Sequence, residues 1–388
     1  MDSNILKFTE VAKRRFRIGI DARFLGSRGG FGIGVYTEEL LSALRKLDRT
    51  NHYLVLVRQE ALPHVPLAEN FEAIVADFPH YSLSEQLLYP SFIRRLKLDL
   101  IHFTNFNSPV IGYLPPSVVT IHDLTLLFFP GHKRKGWLDR TGYRWVVERA
   151  TGRAKKIIAV SAHTKKDIEE RLGVPGEKIR VIHEGVAKRF HLLKDKKETS
   201  RILRRFGITG KFLLYVGQWR KHKNLINLIR AFALLKQKTA LSHELVLAGQ
   251  IDSQMPAIPE LIKKLSLERD IVMTGFVPDE ELPHLYNAAD LFVFPSLYEG
   301  FGIPPLEAMS CGCPVVAARS SSLPEVLGEA ALFFDPRRVE DIAGTINRVL
   351  FSYSLKRELR EKGLSQAKRY SYNKMAKETL KVYQEVLL

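Results

Sequence analysis

The chain has 388 residues, 45% hydrophobic and 26% charged, a composition that supplies more than one apolar core and argues against disorder. Its formal charge of +17 draws in phosphates, anionic headgroups or nucleic acid, but it names no reaction. No apolar run approaches the roughly 18–20 residues that span a bilayer, and MDSNILKFTEVAKRRFRIGID lacks a signal-peptide core, so a cytoplasmic protein is expected.

In chain order, RIGID (17–21) is a β-rich run, followed by the glycine-rich GSRGGFGIGVY (26–36) and a helix with Tyr36, Leu40, Leu41, Leu44 and Leu47 on one face. Further strands are expected at HYLVLV (52–57), DLIHF (99–103), VVTIHD (118–123) and KIIAVS (156–161). SAHTKKDIEERLG (161–173) reads as a helix capped by Ser161. A second series runs through FLLYVG (212–217), ELVLAG (244–249), IVMTGF (271–276), LFVFPS (291–296) and PVVAA (314–318). Strands alternating with helices imply parallel sheets, here in two similar α/β halves.

The polar stretch HLLKDKKETSRILRRFGITG (191–210) reads as their connection. The expected domains are residues 1–190 and 191–369, with a helical segment 370–388 able to cross back over the first. Two doubly wound, Rossmann-like domains facing an interdomain cleft would bind ligands at the carboxyl ends of their strands. The two cysteines, Cys311 and Cys313, are too few for a zinc site and poorly spaced for a disulfide, so they read as buried thiols.

The richest motif is SLYEGFGIPPLEAMSCGCPVV (296–316), a strand, a glycine-containing loop and a short helix. Gly300 and Gly302 allow close backbone approach to a ligand, and Pro304 and Pro305 suit a first helical turn. The helix N-terminus then offers amides and partial positive charge to a diphosphate, with Glu307 expected in the first turn as acceptor for ribose hydroxyls. Glu299 precedes the loop, nearer a transferred group. YVGQWRKHKNL (215–225) sets Arg220 and Lys223 after a strand, where positive charge would stabilise a departing diphosphate. The alternative there is a solvated basic turn. Backbone amides of the 26–36 turn offer a further phosphate or sugar contact, although its spacing is not the dinucleotide fingerprint.

The E-x7-E spacing from Glu299 to Glu307, with FGIPPLEAM, CPVVA and SLPEV (322–326), resembles the retaining family 4 glycosyltransferases of the two-domain GT-B fold. The opening IGIDARFLGSRGGFGIGVYTEELLSAL is similar to bacterial mannosyl- and rhamnosyltransferases of polysaccharide assembly. The resemblance implies a hexose, mannose favoured, moved from a nucleotide diphosphate sugar to a glycan or polyprenyl-linked acceptor, with no metal and no cofactor. It implies catalytic roles for His122, Glu299 and Lys223. His122 would hydrogen-bond the donor sugar with Asp123 in support, Lys223 would contact the diphosphate, and Gly30 and Gly32 would form a substrate loop. Arg220 would stand in for an arginine that the family carries near position 218, occupied here by Gln218. The backbone around Val277 would meet the base, and Phe301 and Leu306 complete the donor-binding set. Glu325 reads as structural.

Three other classes compete. Glu299 and Glu307 could serve a glycosidase or phosphorylase as paired acid and base, the architecture suits a sugar-nucleotide epimerase, and charge alone suggests nucleic acid, with no recognised motif for it. In GHKRKGWLDRTGYRW (131–145), Trp137, Tyr143 and Trp145 interleave with basic residues; with FIRRLK (92–97) the stretch would let the first half rest on an anionic membrane.

Overall fold

A computed structural model describes residues 15–26, 31–66, 68–129, 137–250 and 255–388. The chain divides into two compact units, Met1–Gly185 with Tyr372–Leu388, and Val186–Ser371.

The first unit is built on a parallel sheet of β1 (Arg17–Asp21), β2 (His52–Val57), β3 (Phe71–Val75), β4 (Leu100–Phe103), β5 (Ser117–Ile121), β6 (Lys156–Ala159) and β7 (Ile179–Val181), in the order β3-β2-β1-β4-β5-β6-β7. The central strands are buried on both faces because helices cover both, so their sequences are continuously apolar rather than alternating. Helix Phe31–Leu47 presents Tyr36, Leu40, Leu41 and Leu44 inward, all fully buried. Ser161 caps helix Ala162–Leu172 by accepting the Thr164 N–H at 3.0 Å, and Gly173 ends it at φ +64°. The last helix, Tyr372–Leu387, packs on Phe31–Leu47. There the Tyr383 hydroxyl lies 2.6 Å from His102 Nδ1, deep in the sheet.

The second unit holds β8 (Phe212–Val216), β9 (Glu244–Ala248), β10 (Ile271–Gly275), β11 (Leu291–Phe294), β12 (Val315–Ala318) and β13 (Ala331–Phe334), in the order β10-β9-β8-β11-β12-β13. All pairings within both sheets are parallel. Each sheet reverses direction of winding once, between β1 and β4 in the first unit and between β8 and β11 in the second. At such a switch point the loops leave in opposite directions and open a crevice.

The polar stretch 191–210 is more than a connection. It contains helix Lys196–Arg205, which buries Ile202 and rests on the second unit through Thr199 and His284, 2.9 Å apart. Cys311 and Cys313 are buried free thiols at the end of helix Ile303–Ser310, where burial pushes the Cys311 thiol up to about 12. Among the described residues, no helix is long and apolar enough to cross a membrane.

Candidate active site

The switch point of the second unit gathers the strongest motifs. The loop leaving β8 forms a short turn, Lys221–Lys223, that ends at Asn224 in the left-handed region, φ +60°. Asn224 tolerates this because its amide donates to the Pro295 and Pro336 carbonyls, at 3.1 and 2.7 Å. The loop leaving β11 is stitched to the same turn by the Leu297 N–H, which donates to the His222 carbonyl at 2.7 Å. Thus held, Lys223 Nζ donates to Glu299 Oε1 at 2.6 Å, both side chains largely buried and the ammonium 5.5 Å from the Phe294 ring. The two residues expected to serve a diphosphate and a sugar are therefore ion-paired with each other. Arg220 is exposed beside them.

The Glu299–Gly302 loop is fixed by serines 320–322, to which the sequence reading assigned no role. Ser320 Oγ donates to the Ser296 carbonyl at 2.7 Å, Ser321 Oγ accepts the Glu299 N–H at 2.8 Å, and Ser322 Oγ lies 3.0 Å from the carbonyls of both Glu299 and Phe301. Ser321 holds φ +46°, a conformation that costs a residue with a Cβ on the order of 1 kcal/mol or more. Gly302 takes φ +99°, and a Cβ there would come within 2.6 Å of Leu323 Cδ2, so only glycine fits.

Glu307 requires a correction. It is the fifth residue of helix Ile303–Ser310, just past the first turn where it was expected, and the first turn carries no acid. Two of the first three helical residues are prolines, so the anion seat loses two amide donors and rests on the loop and Ile303. The Glu307 carboxylate accepts the Tyr286 hydroxyl at 2.9 Å. Burial raises its pKa to about 7, against the Tyr286 hydrogen bond and the charge of Arg189, which both lower it.

Leu306 is fully buried and Phe301 nearly so, the latter edge-on to Tyr370 at 5.5 Å, so side-chain contact of either with a ligand is not offered. Val277 is buried, whereas the preceding Phe276 is exposed. Gly300 is buried in the loop. Glu325 lies in the first turn of helix Leu323–Leu327. Among the described residues, the buried Trp219 indole nitrogen and Ser296 hydroxyl, one in each loop at the switch point, have no hydrogen-bond partner.

In the first unit, His122 follows β5 and is held on both sides. Nδ1 lies 2.8 Å from Glu184 Oε1 and Nε2 2.9 Å from the Thr104 carbonyl, while Tyr36 meets the ring edge-on at 4.7 Å. Two acceptors on two ring nitrogens satisfy only the imidazolium. Burial favours the neutral ring, but the hydrogen bond and charge of Glu184 outweigh it and raise the pKa above the usual histidine value. The ring thus has no free nitrogen for a sugar as expected; Thr104 occupies it. Asp123 accepts the Thr125 N–H at 2.7 Å and fixes the local turn. Gly32 lies in the first turn of helix Phe31–Leu47, exposed and with open space where a side chain would stand, whereas Gly30 lies outside the described residues.

Glu184 was not expected from the sequence, and neither was the knot around Arg23. Its guanidinium is fully buried, donating to Asp21 at 2.7 Å and Glu85 at 2.8 Å and stacked on Tyr89 at 4.0 Å. The acid following β7 in VIHEGV was the available signal for Glu184.

Comparison with known proteins decides the class. The family model of glycosyl transferases group 1 matches residues 197–366, and that of glycosyltransferase family 4 matches residues 31–189. O-antigen chain mannosyltransferase B of Escherichia coli is 30% identical over 369 residues, 91% of this chain and 95% of its own length. The chain belongs to the group 1 glycosyltransferases. Solved structures agree on the fold of this glycosyltransferase. HepE of Anabaena, in complex with UDP and glucose, superposes with a TM-score of 0.76 at 19% identity, covering 96% of this chain and 100% of its own. Sucrose-phosphate synthase of Thermosynechococcus elongatus superposes at 0.75, with 20% identity and 96% and 99% coverage. This glycosyltransferase accordingly has the GT-B architecture expected for it.

Proposed function

We propose that this glycosyltransferase moves mannose from a nucleoside diphosphate donor to a glycan or polyprenyl-linked acceptor during cell-surface polysaccharide assembly, with retained anomeric configuration and without a metal. The observation that carries this reading is the likeness to an O-antigen chain mannosyltransferase along nearly the full length of both chains. The Lys223–Glu299 pair at a switch point supports the donor half of it.

In this reading the diphosphate enters beside Lys223 and Arg220 and draws the ammonium away from Glu299, which frees that carboxylate for the sugar hydroxyls. Lys223 and the amides of the Gly300–Gly302 loop then stabilise the charge that develops on the leaving diphosphate. Glu307 accepts from the ribose, the backbone at Val277 meets the base, and Gly30, Gly32 and Asp123 serve the sugar and its surroundings. His122 reaches the sugar after exchanging its Thr104 contact. The enzyme works at the cytoplasmic face of an anionic membrane.

A thermal-shift panel of GDP-, UDP-, ADP- and dTDP-sugars, followed by product analysis with a mannosylated acceptor, tests the reading, because a ligand of the native state raises its apparent stability. An α-linked mannosyl product from an α-linked donor, formed in EDTA, is the expected result. Hydrolysis of aryl glycosides in place of transfer would favour the glycosidase class instead.

A further inference from the structure

The knot around Arg23 continues into a second polar cluster. Asp21 closes β1, Asn107 stands in the loop that leaves β4 and His80 in the stretch that leaves β3, so all three lie at the carboxyl ends of strands about the switch point of the first sheet. Glu85 joins them. Its Oε1 accepts the Arg23 guanidinium and the Asn107 amide, each at 2.8 Å, and its Oε2 accepts the Tyr81 N–H at 2.7 Å. The same Asn107 nitrogen lies 3.1 Å from His80 Nδ1.

This network fixes the polarity of its outer members. A carboxylate only accepts, so the side of the Asn107 amide that faces Glu85 is its NH2, and the second hydrogen of that group goes to His80 Nδ1. Nδ1 is therefore the bare nitrogen of a neutral ring, and the proton sits on Nε2. One donor, His80 Nε2–H, and one acceptor, Asn107 Oδ1, are left; both atoms are buried and neither has a hydrogen-bond partner among the described residues. Asn107 is 2% exposed, and Phe24 stacks on the His80 ring at 3.7 Å, so both side chains are held in place. Buried polar atoms left unpaired are costly, and a native chain keeps few of them without a use. Beside them stands Tyr81, 52% exposed and held at φ +62° by its contact with Glu85, a left-handed conformation that is an outlier for an aromatic residue. Backbone strain of this kind collects at ligand clamps.

We infer that this cluster seats the acceptor sugar: one pyranose hydroxyl accepts from His80 Nε2, a neighbouring hydroxyl donates to Asn107 Oδ1, and the ring packs on the Tyr81 face. The two unpaired atoms lie two covalent bonds beyond the bonded Nδ1 and Nδ2, a separation that two hydroxyls of one sugar can bridge. Hydroxyls fit because each both gives and takes a hydrogen bond. Charge selects the same class. Two carboxylates, Asp21 and Glu85, surround one cation, Arg23, so the cluster as a whole is negative and disfavours a phosphate. The seat therefore takes the glycan end of an acceptor rather than a lipid phosphate. The loop that carries Asn107 also carries the Thr104 carbonyl that accepts from His122, three residues earlier. The inference rests on the proposed transfer to a glycan and names the residues that hold that glycan.

Saturation-transfer NMR of the full chain with the methyl α-glycosides of mannose, glucose, galactose and rhamnose, beside the nucleotide-sugar thermal shift, tests it. At least one glycoside should bind the parent, with an affinity that His80→Phe and Asn107→Leu each lower at least tenfold while the nucleotide-sugar shift is kept. His80→Gln, which retains an N–H donor, should recover most of the binding that His80→Phe loses. Tyr81→Gly is the sharper variant. It relieves φ +62° and removes the ring, so the melting temperature should hold or rise while glycoside binding falls at least threefold, a separation that a purely structural residue would not give. Absence of glycoside binding by the parent overturns the inference, as do His80→Phe and Tyr81→Gly chains that bind like the parent. Displacement of the glycoside by inorganic phosphate would make the cluster an anion seat and overturn it equally. A parent without any nucleotide-sugar shift, whose glycoside binding still responds to these variants, would sink the donor reading and support the seat.

Discussion

Lys223 and Glu299 meet at 2.6 Å across the two loops that leave β8 and β11, and each neutralises the other in a largely buried setting. Removing one partner of a buried pair leaves the other charge unmatched, at a cost of up to about 3–5 kcal/mol. Lys223→Ala should lower the melting temperature more than Lys223→Ala/Glu299→Ala does, and both should lose transfer by on the order of 100-fold or more. Equal melting temperatures for the single and double variants would show that the pair is not coupled in solution.

The serines 320–322 should act on rate rather than on donor affinity. Ser322→Ala removes the donor shared by the Glu299 and Phe301 carbonyls, so kcat should fall with KM for the donor nearly unchanged. Ser321→Gly relaxes φ +46° while losing the Glu299 contact and should cost less stability than Ser321→Ala, which loses the contact and keeps the strain. Steady-state kinetics and thermal denaturation read the two effects separately.

Glu307 supplies a pH dependence. Its carboxyl titrates near 7 in the folded chain against an ordinary value of 4.5, so the folded state holds its proton more tightly and this group reduces stability as pH rises from 4.5 to 7. Glu307→Gln should therefore raise the melting temperature at pH 8 and leave it nearly unchanged at pH 4.5. On the proposed ribose contact, donor binding should show the reverse preference, strengthening as pH rises through 7, because the ionised carboxylate is the stronger acceptor. The Gln variant should bind weakly with no such slope, as calorimetric titration at several pH values would reveal.

His122 gives the opposite sign. Its folded pKa is raised by Glu184, so the stabilisation is fully present below the ordinary value of 6.5 and is lost as pH rises through the folded value. Glu184→Gln should bring the His122 titration, followed by NMR of the ring protons, to lower pH. An unmoved titration would mean that the 2.8 Å contact does not set the charge.

The central strands were plain in the sequence because burial on both faces leaves uninterrupted apolar runs. The strands that sequence reading missed, Phe71–Val75, Ile179–Val181 and Ala331–Phe334, are all sheet edges; Glu72 and Arg180 interrupt the first two, and the third is an apolar run of only four residues. The glycine loop and both of its glutamates were legible from local spacing. Their supports were not: Glu184 lies 62 residues from His122 and Ser322 lies 23 from Glu299, and only the fold brings them together. The helical position of Glu307 was misjudged because the prolines mark where a helix begins only to within a residue or two.

The His102–Tyr383 bond sets a schedule for biosynthesis. Tyr383 belongs to the first unit, yet the ribosome delivers it only after every residue of the second. Domains of a growing chain generally fold in order from the amino end. Here the earliest sheet would wait, with the groove over β4, β5 and β6 that the last helix fills still open, while the second unit matures. A nascent chain arrested before Tyr372 should therefore present a finished second unit and a first unit that is still open to chaperones and proteases.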